Sequence, residues 1–169
     1  MTHDAVQHRP RAQRDRDAQY ITKAIELSRR SAMNGDHPFG ALVVVNGEIV
    51  AHSQNQSERT RDNAQHAELA AMLSAAKTLA VQSLDGATLY SSTEPCAMCA
   101  ALMHWYDVKR LVYGCSGKAF RAFRSNKAFI PCRTVFAGMG TRIEVAGPLC
   151  EKDAVAVHAE YWPEYDEES

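Results

Sequence analysis

The strongest constraint on the fold of this chain is a strand–helix–strand stretch in its middle. Ala87-Thr88-Leu89-Tyr90-Ser91-Ser92 and Arg110-Leu111-Val112-Tyr113-Gly114 are short β-prone runs. A helical pattern over 95–106 separates them, and a crossover of that kind joins strands that pair in parallel. Upstream, Phe39-Gly40-Ala41-Leu42-Val43-Val44-Val45 and Glu48-Ile49-Val50-Ala51-His52 flank Asn46-Gly47, a strong hairpin signal. The first of these runs is apolar throughout, which predicts a strand covered on both faces and therefore helices on both sides of a sheet. Helical patterns fall over 17–33, ended by Asn34-Gly35, and over 64–79, with Leu69, Met72, Leu73, Ala76 and Leu79 on one face. A last helix is expected over 152–161 and a fifth strand over 142–146. The stretch 53–63 reads as a loop, and 118–140 as a short helix with a long loop. The fold class is α/β, a three-layer α/β/α sandwich.

Composition bounds the rest. A length of 169 residues fits one domain at about 100–200 residues each. With 46% hydrophobic and 23% charged residues the chain is an ordinary globular one. No apolar run approaches the ~20 residues of a membrane helix. A net charge of −1 carries no overall polyanion-binding signature. The absence of an apolar leader and the odd count of five cysteines point to a reducing, cytoplasmic setting. A flexible basic tail is expected over 1–16, with Arg9, Arg11, Arg14 and Arg16, followed by a single domain over 17–169. That tail is read either as a solvated terminus or as an arm for nucleic acid.

Three soft-metal donors fall at the starts of two helices. His66 begins one, with Glu68 two residues on. Pro95-Cys96-Ala97-Met98-Cys99 begins the other. Cysteines three apart in a first turn point roughly the same way, and the helix N-terminus favours their thiolates. Pro95 suits a turn that has no use for its N–H. One His and two Cys are the three protein ligands of a zinc ion that keeps a position open for water, whereas a structural site is closed by a fourth. Zinc lowers the pKa of such a water to about 7, and Glu68 is placed to accept its proton. A lone C-x-x-C also serves redox pairs and zinc knuckles. It is the pairing of His-Ala-Glu with Pro-Cys-Ala-Met-Cys that matches the H-x-E…P-C-x-x-C pattern of zinc nucleobase deaminases.

On these residues, and on Pro38-Phe39-Gly40-Ala41, Asn55, Leu89-Tyr90, Thr93-Glu94 and Val112-Tyr113-Gly114, the chain resembles the cytidine deaminase-like superfamily. The resemblance runs from about Ile21 to Gly114, within the branch of guanine deaminase, fungal cytosine deaminase and bacterial tRNA adenosine deaminase. It implies a five-stranded mixed sheet with strands four and five parallel, and a homodimer. It also implies that His66, Cys96 and Cys99 hold zinc (Zn2+), that Glu68 shuttles protons, and that Asn55 and the Ala67 N–H contact the base. The implied reaction is hydrolytic replacement of an exocyclic amine by oxygen with release of ammonia.

Substrate is less legible. Phe39 and Trp105 match aromatic positions of guanine deaminases and offer base-stacking surfaces, though Trp105 is equally read as core packing. His104 reads as a surface histidine. The acidic end, Glu164-Tyr165-Asp166-Glu167-Glu168, would repel a polyanion, while Arg121 and Arg124 argue the other way. Tyr161, Trp162 and Asp166 are candidates for the C-terminal segment that closes the pocket in small-base relatives, the first reading of this stretch being an acidic solvated terminus. The favoured substrate is a free base or nucleoside, with guanine or another aminopurine ahead of a cytosine-type pyrimidine. The alternative is adenosine-to-inosine deamination of tRNA. No membrane partner is expected, and Cys115, Cys132 and Cys150 are not assigned to zinc.

Overall fold

Asn46 and Gly47, at φ of 51° and 82°, fold β1 (Gly40–Val45) back onto β2 (Glu48–Gln54) as an antiparallel hairpin. Glycine adopts that conformation freely and asparagine at modest cost. β1 also pairs antiparallel with β3 (Thr88–Thr93), which runs parallel to β4 (Arg110–Cys115), itself parallel to β5 (Glu144–Ala146). The sheet order is β2-β1-β3-β4-β5. The computed structural model describes residues 9–124 and 128–163.

Side chains alternate across this sheet, so each strand feeds two cores. Ala41, Val43, Leu89 and Leu111 face the core formed with α3 (Ala67–Leu79), α4 (Ala97–Trp105) and α6 (Cys132–Gly138). Leu42, Val44, Tyr90 and Val112 face the core formed with α1 (Arg11–Met33) and α7 (Glu151–Tyr161). The expected α/β/α sandwich with a five-stranded mixed sheet is therefore the architecture found. β1 is buried over five of its six positions, as its unbroken apolar run predicts.

Several boundaries differ from the sequence reading. The first helix begins at Arg11, not near 17, and so takes in residues 11–16. They carry no apolar period, yet Gln13 Nε2 donates to Asp17 Oδ1 at 3.0 Å and Arg16 to Gln13 Oε1 at 3.0 Å, which props the solvent-facing turns. Residues 1–8 lie outside the described residues. The 53–63 loop contains α2 (Ser57–Thr60), and 118–140 contains α6 as well as α5 (Gly117–Phe120). On α3 the buried stripe is Ala67, Ala71, Met72, Ala75 and Ala76, while Leu73 and Leu79 are exposed. Small residues let α3 lie close on the sheet, which rotates the larger leucines outward.

Among the described residues no helix is long and apolar enough to cross a membrane.

Candidate active site

The site forms where the parallel strands end, the usual place for ligands in an α/β sheet. Glu94 N–H donates to Cys115 O at 2.8 Å, carrying the β3–β4 pairing one residue past β3. Pro95 then breaks the ladder, and Cys96 occupies the N-cap of α4 with Cys99 in its first turn. His66 occupies the N-cap of α3 on the other side of the gap. Both caps have extended backbone that turns the side chain away from its helix and toward the opposite one.

His66 Nδ1 stands 3.6 Å from Cys96 Sγ and 3.7 Å from Cys99 Sγ. The three donor atoms lie within 4.8 Å of one another. Nitrogen at ~2.0 Å and sulfur at ~2.3 Å from a tetrahedral ion are about 3.5 Å apart, so the spacing is close to that of a zinc site. The donor chemistry agrees. A hydrogen bond from Cys99, aided by His66, pushes the Cys96 thiol down to about 4 against the opposing effect of burial. Cys99, which supplies that proton and is itself buried beside Glu68, is pushed up. The hydrogen bond between the two cysteines thus favours the thiolate form of Cys96, the form that binds a cation.

Glu68 is 5% exposed. Ser91 Oγ donates to its Oε1 at 3.1 Å, and Cys99 Sγ lies 3.8 Å from its Oε2. Burial, then the charge of Cys96, raises its pKa above the ordinary carboxylate value; His66 and the Ser91 hydroxyl oppose this. A carboxyl group raised by burial holds a proton more readily than a surface carboxylate, which suits it to proton exchange. A cavity of about 310 Å³ opens above it, with His66, Glu68 and Cys96 among its lining residues and Phe39, Phe120, Phe129, His37 and Trp162 forming aromatic walls. Arg121 and Arg124 also line it.

The other candidates divide. Phe39 is in the cavity wall, 5.6 Å centroid to centroid from Phe120. Ala67 is buried at the start of α3, where its N–H belongs to a turn without intrahelical acceptors. Asn55 is buried, with Oδ1 taking Ser57 N–H at 2.9 Å and Ser57 Oγ–H at 2.8 Å. Among the described residues no hydrogen bond uses its Nδ2, and Asn55 is not among those that line the cavity. Trp105 ends α4, nine residues beyond Cys96 and so about 13 Å along the axis; it is 72% exposed and is not among the residues that line the cavity. It neither stacks there nor packs in the core. Trp162, one of the candidates for a pocket-closing segment, lines the cavity. Tyr161 adjoins Trp162 at 4.8 Å, and Asp166 lies outside the described residues.

A model of the cytidine and deoxycytidylate deaminase zinc-binding region matches residues 14–115, which is more than half of the chain. The chain belongs to this deaminase family. Zinc is the cofactor of the matched region, and the donor spacing fits it. The chain is 31% identical over 153 residues to a probable cytosine deaminase of Schizosaccharomyces pombe, covering 88% of this chain and 93% of that protein. It is 38% identical over 98 residues to the tRNA-specific adenosine deaminase of Bacillus subtilis, covering 58% of this chain and 61% of that one. A solved guanine deaminase from Nitrosomonas europaea superposes with a TM-score of 0.77 at 25% identity, covering 86% and 84% of the two chains.

Three deaminase-site features escaped the sequence reading. Glu94 holds the surrounding loops, its carboxylate accepting Gly117 N–H at 2.9 Å and Cys132 N–H at 3.0 Å. His37 lines the cavity beside Trp162, at 6.0 Å between ring centroids. His158 is buried behind the wall, stacked 5.6 Å from Trp162 at 20°. Glu94 belongs to the Thr93-Glu94-Pro95-Cys96 stretch that carries the resemblance, and only its hydrogen bonds to the loops are new. The two histidines come from distant segments and left no local signal.

Proposed function

We propose that the chain hydrolytically deaminates a free nucleobase or nucleoside, an aminopurine such as guanine ahead of a cytosine-type pyrimidine. His66, Cys96 and Cys99 are the zinc ligands in this reading and Glu68 is the catalytic residue. The observation that carries it is the buried Glu68 carboxyl, opening with His66 and Cys96 into one aromatic-walled cavity.

Zinc supplies an activated water at neutral pH when bound. Glu68 takes the proton of that water. Ser91 holds Oε1, leaving Oε2 to deliver the proton to the ring nitrogen beside the carbon that bears the amine. The water oxygen bonds to that carbon, the carboxylate takes the remaining hydroxyl proton and passes it to the amine, and the carbon–nitrogen bond breaks to release ammonia and leave the oxo base. Phe39 and Trp162 flank the planar base, and Asn55 Nδ2 and the Ala67 N–H are offered as donors to its edge. The cavity volume lies at the lower end of small-molecule sites, about 300–1,000 Å³, which suits a single base better than a polymer.

The test is ammonia release by zinc-loaded protein on bases, nucleosides and a tRNA anticodon stem-loop, with Glu68→Gln alongside. Glu68-dependent turnover of a small compound supports the reading. Turnover of the stem-loop alone would transfer it to tRNA editing, the alternative favoured by the Bacillus subtilis relative.

A further inference from the structure

One sequence pattern is not absorbed by this chemistry. After Gly117 the chain reads Lys118-Ala119-Phe120-Arg121-Ala122-Phe123-Arg124, with cations and phenylalanines each recurring every third residue. The backbone makes that period meaningful. Beyond α5 the hydrogen bonds shorten to i→i+3, from Ala122 N–H to Ala119 O at 3.2 Å and from Phe123 N–H to Phe120 O at 3.0 Å. Residues three apart eclipse in such a turn. Phe120 and Phe123 pack on His158, at 5.1 and 5.9 Å, so the cations form a separate row.

That row borders the site. Arg121 and Arg124 line the deaminase cavity, and Arg121 also lines the adjoining groove, together with Lys118. Arg124 lies over the Trp162 ring, its Cζ 5.3 Å from the centroid. A stacked guanidinium keeps its in-plane N–H donors available. Among the described residues no ion pair engages Lys118, Arg121 or Arg124. Glu94, the nearby acid that lines both cavities, spends its two oxygens on the Gly117 and Cys132 N–H groups and so anchors this turn to the Pro95-Cys96 loop.

We infer that Lys118, Arg121 and Arg124 form an oxyanion-binding edge, and that the substrate is an aminated base carrying a phosphate or carboxylate group. The inference deepens the deaminase reading and rests on it for the identity of the base. Planar arginine forks match both oxyanions, and the adjoining groove gives a substituent room beyond the base.

Equilibrium binding to the zinc-loaded protein tests it with matched pairs: cytidine, guanosine and adenosine against their 5′-monophosphates, and cytosine against 5-carboxycytosine. At least one charged member is expected to bind at least about tenfold more tightly than its neutral partner. A monophosphate preference identifies phosphate as the source, and a 5-carboxycytosine preference identifies carboxylate. Arg121→Gln, at an exposed position, and Arg124→Gln should erase most of that preference while leaving zinc content unchanged. Raised salt should shrink it. Equal binding within every pair overturns the proposal, as does a tRNA anticodon stem-loop that outbinds every small compound. Ammonia release separates the two readings. Selective binding without Glu68-dependent ammonia defeats the deaminase assignment alone, whereas turnover of neutral bases without any charged preference defeats the oxyanion edge alone.

Discussion

His158 Nε2 stands 2.8 Å from Thr93 Oγ1, joining the last helix to the end of β3 beneath the cavity. Thr93 lines that cavity, and the imidazole is 1% exposed among Phe39, Phe120, Phe123 and Trp162. Among the described residues its other nitrogen, Nδ1, is buried without a hydrogen-bond partner. One ring therefore sets both a hydroxyl and an aromatic wall of the pocket.

Burial pushes the His158 pKa down to about 4, so the folded chain holds it neutral. The folded state then binds fewer protons than the unfolded one between about pH 6.5 and 4, and stability must fall as pH drops through that window. The associated loss is of order 3 kcal/mol. Urea unfolding of the zinc-free protein from pH 8 to 4 should show this slope. His158→Leu should show less of it while being weaker at pH 8. A parallel pair of pH profiles would contradict the assignment.

Asp17 of α1, 2% exposed, is gripped by Arg110 of β4 through Nη1 at 2.9 Å and Nη2 at 2.7 Å, and accepts from the Tyr90 hydroxyl at 2.7 Å. Burial acts to raise its pKa, but the Arg110 and Tyr90 hydrogen bonds and the Arg110 charge together hold it below the usual value. That contribution is present above the unfolded carboxylate pKa and is lost as pH falls through the folded one. Removing one partner strands the other, so Asp17→Ala should cost about 3–5 kcal/mol. A loss under 1 kcal/mol by chemical denaturation would show that Arg110 finds other support.

Gly40 opens β1 directly under α1. A Cβ there would stand 2.4 Å from Ala24 O and 2.6 Å from Ser28 N, both main-chain atoms of the helix. Gly40→Ala must therefore lift α1 from the sheet, and overpacking of this kind costs about 1–3 kcal/mol. Thermal melting of Gly40→Ala against Gly138→Ala, where a Cβ meets nothing within 4 Å, provides the check.

Glu68→Gln should retain zinc by metal analysis and lose roughly 10²–10⁴ of turnover. Cys96→Ala should lose the metal as well. Chelation of the wild type should lower its melting temperature, since an ion held by α3 and α4 stabilises only the folded chain. Unchanged melting on chelation would argue against a site spanning the two helices.

Much of this was available from the sequence because it is local. The Asn46-Gly47 turn, the apolar run of β1 and the crossover between β3 and β4 specify their own geometry within a few residues. Cys96 and Cys99 share a helix turn, and His66 and Glu68 are two residues apart, so side-chain direction follows from the backbone alone. The start of α1 failed because its first turns are polar and helical at once, which hydrophobic periodicity cannot register. Trp105 lies apart from the cavity because nine residues of α4 carry it about 13 Å along the axis from Cys96.

The pocket wall is another matter. Phe39 precedes β1, Phe120 ends α5, and Trp162 follows α7; they meet only after the sheet, both helix layers and the loops tied to Glu94 are in place. Aromatic packing is non-directional in sequence, and the burial that drives it depends on what else arrives. The sequence by itself singled out the donors His66, Cys96 and Cys99, the neighbouring Glu68 carboxyl and the layer order. The tertiary structure decided which aromatics form the cavity, and it set the cation row of Lys118, Arg121 and Arg124 along its edge.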